Sequence, residues 1–175
     1  MDKVLPTIVV VVVLVLALGA MYWGWRRRGR RDASAGGGYP VPAGQAAPLA
    51  EAETFYVAST KAGNHLERLA LPGLKFRGRA RLTISRDGVT IAIHGEEPVF
   101  VAGNAISAIG AATTAIDRAV EKDGLLRLSW TTTGGVAADS FLRVVDPADR
   151  APVIGAIESL LPAHSQAGYT TESEV

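Results

Sequence analysis

Cysteine is absent from the 175 residues of the chain. Disulfide bonds, thiolate metal ligands and a cysteine nucleophile are therefore excluded. Histidine is scarce, and His65, His94 and His164 lie far apart without a carboxylate at ligand spacing. The sequence thus predicts no metal site and no cofactor. It also lacks a nucleophile–base pair and a phosphate-binding loop, which predicts a protein that is not an enzyme.

Charge is absent from Leu5 to Trp25, a run of 21 mostly apolar residues. A helix of that length crosses the hydrocarbon core of a bilayer. The middle of the run is rich in valine, but a lone segment in lipid must satisfy its own backbone and is therefore helical. Tyr22, Trp23 and Trp25 lie at one end, where aromatic rings favour the lipid–water interface. We predict a transmembrane helix over residues 5–25.

Five arginines follow this run, whereas the N-terminal flank carries one lysine and one aspartate. Positive flanks stay in the cytoplasm, which predicts a single pass through the cell membrane with the N-terminus outside and the C-terminal domain cytoplasmic. A cleavable signal peptide is the alternative, but its positive charge would precede the apolar run. The positive charges of these arginines would also attract anionic lipid headgroups. They are Arg26, Arg27, Arg28, Arg30 and Arg31.

The basic excess of the chain belongs to this flank. The formal net charge is +1, yet residues 52–175 contain 12 basic and 14 acidic residues, a net charge of −2. A protein that binds nucleic acid usually presents a basic face to the phosphates, so the sequence predicts no nucleic-acid partner.

Composition divides the rest of the chain into three parts. Residues 26–53 combine the arginine-rich flank with a stretch of glycine, alanine and proline, which is typical of a flexible linker. Residues 54–162 carry the alternating and apolar patterns of a folded domain. Residues 163–175 are polar and predict a flexible tail.

The domain pattern predicts about seven short strands followed by one helix, hence a mainly β fold. The tetrapeptide from Ser85 to Gly88 is a hairpin turn signal. Asp146-Pro147 is a helix start, and apolar residues then recur at helical spacing up to Pro162. A small barrel closed at one end by this helix would bury both apolar surfaces. The predicted strands are 54–60, 79–84, 89–94, 98–102, 105–111, 125–131 and 136–145.

Six short segments carry a resemblance to known proteins over nearly the full length: 1–7, 23–28, 56–60, 73–74, 87–89 and 128–130. With the order of seven strands and a capping helix, they resemble a family of actinobacterial single-pass membrane proteins with a cytoplasmic bacterial PH-like domain. Its members are often labelled as transporters or export proteins. The resemblance implies a PH-like barrel that binds a partner and has no catalytic motif. One span cannot form a translocation path without partners.

The sharpest local feature is a row of alternating cations that flanks Gly78. With the period of a strand, the cations project from one face, while Phe76 and Leu82 point to the other. Such a row can meet anionic headgroups or an acidic protein. The alternative is an ordinary solvated strand face whose charges discourage edge pairing. The candidate docking face consists of Lys75, Arg77, Arg79 and Arg81.

Together these features predict a membrane-anchored binding or scaffolding module that recruits a protein partner or docks on anionic inner-leaflet lipid. The alternative is an accessory subunit of a membrane transport or export complex. Ala20 and Gly24 stand four residues apart, a spacing that permits close contact between transmembrane helices.

Overall fold

The computed structural model describes residues 4–33, 35–44, 46–112, 114–115, 118–119 and 124–161. The chain divides into two units, one up to Ser34 and one from Ala35 onward. The predicted tail, residues 163–175, and His164 lie outside the described residues.

The first unit is a single helix, α1 (Val4–Ala33). Its segment Thr7–Gly24 has a mean hydropathy of 2.4 and is long and apolar enough to cross a membrane, a test that a signal sequence near an N-terminus also passes. The helix runs on through the arginines that we placed in the flank and linker. Arginine is a good helix former, and residues 26–33 contain no proline.

The second unit is a β structure with one C-terminal helix. It also contains one short 3-10 helix, η1 (Gly103–Ala105). Its strands are β1 (Ala50–Lys61), β2 (Asn64–Arg68), β3 (Gly78–Ser85), β4 (Gly88–Ile93), β5 (Val99–Ala102), β6 (Ile106–Ala112), β7 (Thr114–Ala115), β8 (Arg118–Ala119), β9 (Leu125–Thr131) and β10 (Ala137–Val144), and its helix is α2 (Pro147–Glu158).

Seven strands form one antiparallel path in the order β5-β4-β3-β1-β10-β9-β6, and β2 pairs with β1 beside this path. The seven strands correspond to the seven predicted segments, so the predicted mainly β fold with a C-terminal helix is confirmed. The short strands β2, β7 and β8 were not predicted. β2 is a polar five-residue segment without apolar alternation, and β7 and β8 pair over only two residues each.

The connection between β5 and β6 closes the sheet. These strands lie at the two ends of the path, yet only the three residues of η1 join them. The two ends of the path must therefore come close together, which curls the sheet into a barrel. Helix α2 packs against β1, β3, β6 and β10, with Val153 and Ile157 buried in the main core. Asp146 caps the helix by accepting a hydrogen bond from the Ala148 amide at 2.9 Å.

The predicted linker differs from the structure between residues 35 and 53. Strand β1 begins at Ala50, and in residues 35–44, which we call the strap, the part from Ala35 to Tyr39 contacts the barrel. Glycine allows the strap to approach β5 closely, because a Cβ atom on Gly38 would lie 2.6 Å from Val99 Cγ1. In residues 35–39 the glycine-rich composition therefore accompanies contacts with the barrel.

The strap crosses the seam of the barrel. The Tyr39 amide donates to Phe100 O at 2.7 Å on β5, and the Tyr39 hydroxyl donates to Thr131 O at 2.9 Å at the end of β9. The Thr132 hydroxyl donates to Ala35 O at 2.5 Å. The strap thus joins β5, which ends the path on one side, to β9 on the other.

Buried polar side chains of β1 take part in a hydrogen-bond network inside the barrel. The Tyr56 hydroxyl donates to Leu74 O at 3.1 Å and lies 2.9 Å from Ser59 Oγ. The hydroxyls of Ser59 and Ser140 are 2.7 Å apart, and Trp130 Nε1 donates to Ser140 Oγ at 2.9 Å. This hydrogen-bond network therefore links β1, β9, β10 and the loop before β3 inside the core, where an unpaired polar group would be costly.

Burial raises the pKa of Tyr56 to about 12, although the hydrogen bond with Ser59 and the charge of Arg68 lower it. Above pH 10 the unfolded chain loses this proton first, so the free energy of unfolding falls as the pH rises from about 10 to about 12. We expect a loss of about 2–3 kcal/mol over this range from Tyr56. Urea unfolding at several pH values measures it. The Tyr56→Phe variant should lose this slope, and an unchanged slope would contradict the assignment.

Gly88 lies where the β3–β4 hairpin touches β5. A Cβ atom there would lie 2.1 Å from Val101 O and 2.9 Å from Gly103 N, both of them backbone atoms. We expect Gly88→Ala to lower the free energy of unfolding by about 2–3 kcal/mol. The matched control is Gly155→Ala in α2, where no atom lies within 4 Å of the new Cβ. It should raise the free energy by up to about 1 kcal/mol. Equal urea midpoints for the two variants would refute this difference.

Candidate functional site

The structure divides the predicted row of cations at Gly78, where β3 begins. Arg79 and Arg81 lie on β3 with exposed side chains, whereas Lys75 and Arg77 lie in the loop before the strand. The pairing of β1 with β3 causes this division, because it ends where Tyr56 lies opposite Gly78. Directly after Tyr56, β1 has a bulge. Alternation along one strand therefore does not bring the four cations together.

The outer face of the barrel carries a row of three exposed side chains, which we call the outer row. Phe55 on β1 lies opposite Arg79 on β3 and opposite Arg143 on β10. Directly opposed side chains on neighbouring strands have Cβ atoms about 5 Å apart, so they form one surface. Phe55 keeps 38% of its surface exposed. The outer row thus presents one aromatic ring between two guanidinium groups.

The adjacent row is partly neutralised. Arg81 Nε lies 3.1 Å from Glu53 Oε1 in an exposed ion pair, which stabilises the fold by at most about 1 kcal/mol. Arg79 and Arg143 form no ion pair with any residue of the described part of the chain. Their charges are therefore available to a partner.

A shallow depression of about 650 Å³ extends this surface. Its lining includes Glu53, Arg79 and Arg81 as well as Ala92 and His94 of the β4 region. The small Ala92 side chain leaves the space open. His94 thus lies beside two of the predicted docking residues.

Sequence reasoning missed Phe55 and Arg143. Phe55 carried a signal, because it is apolar at a position where Thr54 and Tyr56 on either side point inward. Arg143 carried none, since only the register between β1 and β10 brings it beside Phe55.

The loop cations belong to a second surface, at one end of the barrel. Arg68 Nη2 donates to Lys75 O at 3.0 Å, which joins β2 to the loop before β3. Leu66 and Phe76 keep 81% and 65% of their surface exposed on these two segments. We call β2 together with residues 75–77 the tip. Phe76 was predicted to lie on the strand face opposite to the cations, but it is exposed in the loop beside them, because the strand period starts only at Gly78.

The predicted membrane flank is described in part. The side chains of Tyr22, Trp23 and Arg26 are exposed on α1. The structure describes only the backbone of the others, which are Trp25, Arg27, Arg28, Arg30 and Arg31. Among the described residues, no three histidine or acidic side chains are grouped so that they could hold a metal ion.

Comparison with known proteins gives one family. The model of the Bacterial PH domain-like family matches residues 37–158, which run from the strap to the end of α2. No curated protein matches the chain. The match covers more than half of the chain and the whole seven-stranded path, which has the strand and helix order that the resemblance implied. This chain therefore belongs to the Bacterial PH domain-like family.

Proposed function

We propose that this protein is a membrane-anchored binding module whose barrel recruits an acidic segment of a protein partner through the outer row. The observation that carries the proposal is the placement of Phe55 between Arg79 and Arg143 on an exposed sheet face. PH-like domains are typically binding modules without catalytic activity, which agrees with this role.

The chemistry of the outer row suits a protein interface. Arginine and aromatic side chains are enriched among the residues that carry most of the energy at the centres of protein interfaces, and an aromatic side chain covers a large area at a low cost in conformational entropy. Each guanidinium can bind a carboxylate through two parallel hydrogen bonds. The depression beside Arg79 and Arg81 gives a partner side chain room to enter. The partner segment is thus expected to carry carboxylates on both sides of an apolar residue.

The anchor fixes where recruitment takes place. Helix α1 is long and apolar enough to span a bilayer, and the arginines after its apolar segment favour a cytoplasmic domain. Tethering keeps the barrel at the membrane, so a weak interface is sufficient for a partner that is also bound there.

Photo-crosslinking in the native membrane tests the recruitment. A photoreactive residue in place of Phe55 should form an adduct with one protein, and Arg79→Glu combined with Arg143→Glu should lower its yield about tenfold or more. Both arginines are exposed and lack ion pairs in the described part of the chain, so the fold should persist.

The control variant is Arg86→Glu, which changes an arginine that is also exposed and lies in the turn after β3. It should leave the adduct unchanged. The proposal fails if the double variant retains the adduct, or if a photoreactive residue at Asn104 gives the same adduct. An adduct with lipid in place of protein at residue 55 would also overturn it.

A further inference from the structure

We infer that the barrel binds a free α-amino acid with an apolar side chain, in a cavity beside the end of β3. The cavity has a volume of about 680 Å³ and lies between the strap, the β3–β4 turn, η1 and the two residues after α2. We call it the end cavity. It lies at the other end of β3 from Arg79, so the inference concerns a surface other than the outer row and goes beyond the recruitment of a partner.

The apolar lining of the end cavity suits a compact apolar side chain. It includes Phe100 on β5, Leu160 after α2, and Pro40 and Pro42 of the strap. Phe100 is only 4% exposed, and Leu160 packs against the main core, so both side chains are held in place. The volume lies within the range of about 300–1,000 Å³ that is typical of sites for small molecules. An apolar group that enters the cavity leaves water, which favours binding.

The charged lining of the end cavity favours a ligand that carries both a positive and a negative charge. Arg86 and Asp87 line the cavity together from the β3–β4 turn. Both side chains are exposed, and they do not form an ion pair with each other. A ligand that carries only a carboxylate would be attracted by Arg86 and repelled by Asp87. A zwitterion offers each of the two side chains the opposite charge.

Both charged side chains keep hydrogen-bonding capacity for a ligand. The guanidinium of Arg86 bonds to no residue in the described ranges, and it can bind a carboxylate through two parallel hydrogen bonds. Asp87 Oδ2 accepts a hydrogen bond from the Ala46 amide at 3.1 Å, which orients the carboxylate. Within the same ranges Asp87 Oδ1 accepts no hydrogen bond, so it is available to an ammonium group.

The spacing of the two charged residues indicates that the charges of the ligand lie close together. Arg86 and Asp87 are consecutive and joined by a trans peptide bond, so their Cα atoms are about 3.8 Å apart. A free α-amino acid carries its ammonium and carboxylate groups on one carbon, from which the side chain also extends. The end of α2 lies beside the same cavity, and the partial negative charge of a helix C-terminus favours an ammonium group.

A titration of the full chain in lipid nanodiscs with para-fluoro-L-phenylalanine tests the inference. Binding is measured as broadening of the fluorine NMR signal, with empty nanodiscs as the blank. We expect saturable binding with a Kd of about 1 mM or lower. The N-acetyl derivative lacks the positive charge and the carboxamide lacks the negative charge, so each should bind about tenfold more weakly. Absence of saturable binding, or equal binding of the amino acid and its two derivatives, would overturn the inference.

Two substitutions in the β3–β4 turn assign the charges. Arg86→Gln should weaken binding of the amino acid about tenfold without weakening binding of the carboxamide, which has no carboxylate to lose. Asp87→Asn should weaken binding of the amino acid by a similar factor without weakening binding of the N-acetyl derivative. An asparagine can still accept the hydrogen bond of the Ala46 amide.

The matched control for the charge variants is Arg77→Gln, at an exposed arginine outside the end cavity. It should change no affinity. The assignment of the charges is wrong if Arg86→Gln weakens the amino acid and the carboxamide by the same factor, or if Asp87→Asn does so for the amino acid and the N-acetyl derivative.

Gly103→Leu tests the position of the site. A Cβ atom on Gly103 would lie 3.4 Å from Asp87 O and 3.9 Å from Leu160 Cβ, which are ordinary contacts, so the fold has room for a side chain that then occupies the end cavity. The matched control is Gly155→Leu, where no atom lies within 4 Å of the new Cβ and the residue does not line the cavity.

We expect Gly103→Leu to weaken binding about tenfold or more and Gly155→Leu to leave it unchanged, with urea midpoints to verify that both variants fold. Full binding by a folded Gly103→Leu variant would overturn the inference. The outer row shares no residue with the end cavity, so this test and the crosslinking test can fail independently.

Discussion

The three residues of η1 impose the shape of this domain. Because β5 and β6 end the strand path on opposite sides, so short a connection is possible only if the sheet curls round on itself. Closure places most of the buried apolar side chains of the seven strands in one core, while Leu125 and Phe141 form a second, smaller cluster. It also creates two openings that need a cover. The seam between the end strands is crossed by the strap, and one end of the barrel is covered by α2.

Closure also places on two surfaces the four cations that the alternating sequence pattern assigns to one strand face. Arg79 and Arg81 project from the wall of the barrel, whereas Lys75 and Arg77 lie in a loop at its end. A wall and an end face different directions, so the four cations do not form one surface. The alternating row of cations in the sequence thus lies on two surfaces, divided at Gly78 by the register of β3 on β1.

The sequence predicted those elements whose signals lie within the element itself. Alternation marks β9, in which Leu126, Leu128 and Trp130 are buried, and the sequence Asp146-Pro147 marks the start of α2. The position of the strap could not be predicted from the sequence, because its hydrogen bonds join residues that are 92 and 97 positions apart. The outer row was missed for the same reason, since its three side chains come from three strands and meet only through their register.

The strap has a consequence for the order of folding. It is synthesised directly after α1, yet Thr131 and Thr132, which accept and donate its hydrogen bonds, come more than 90 residues later. The strap can therefore find its place only when β9 is complete, after the apolar helix has left the ribosome. The segment that is made first in the domain therefore gains its full set of these hydrogen bonds only when both β5 and residues 131–132 are present.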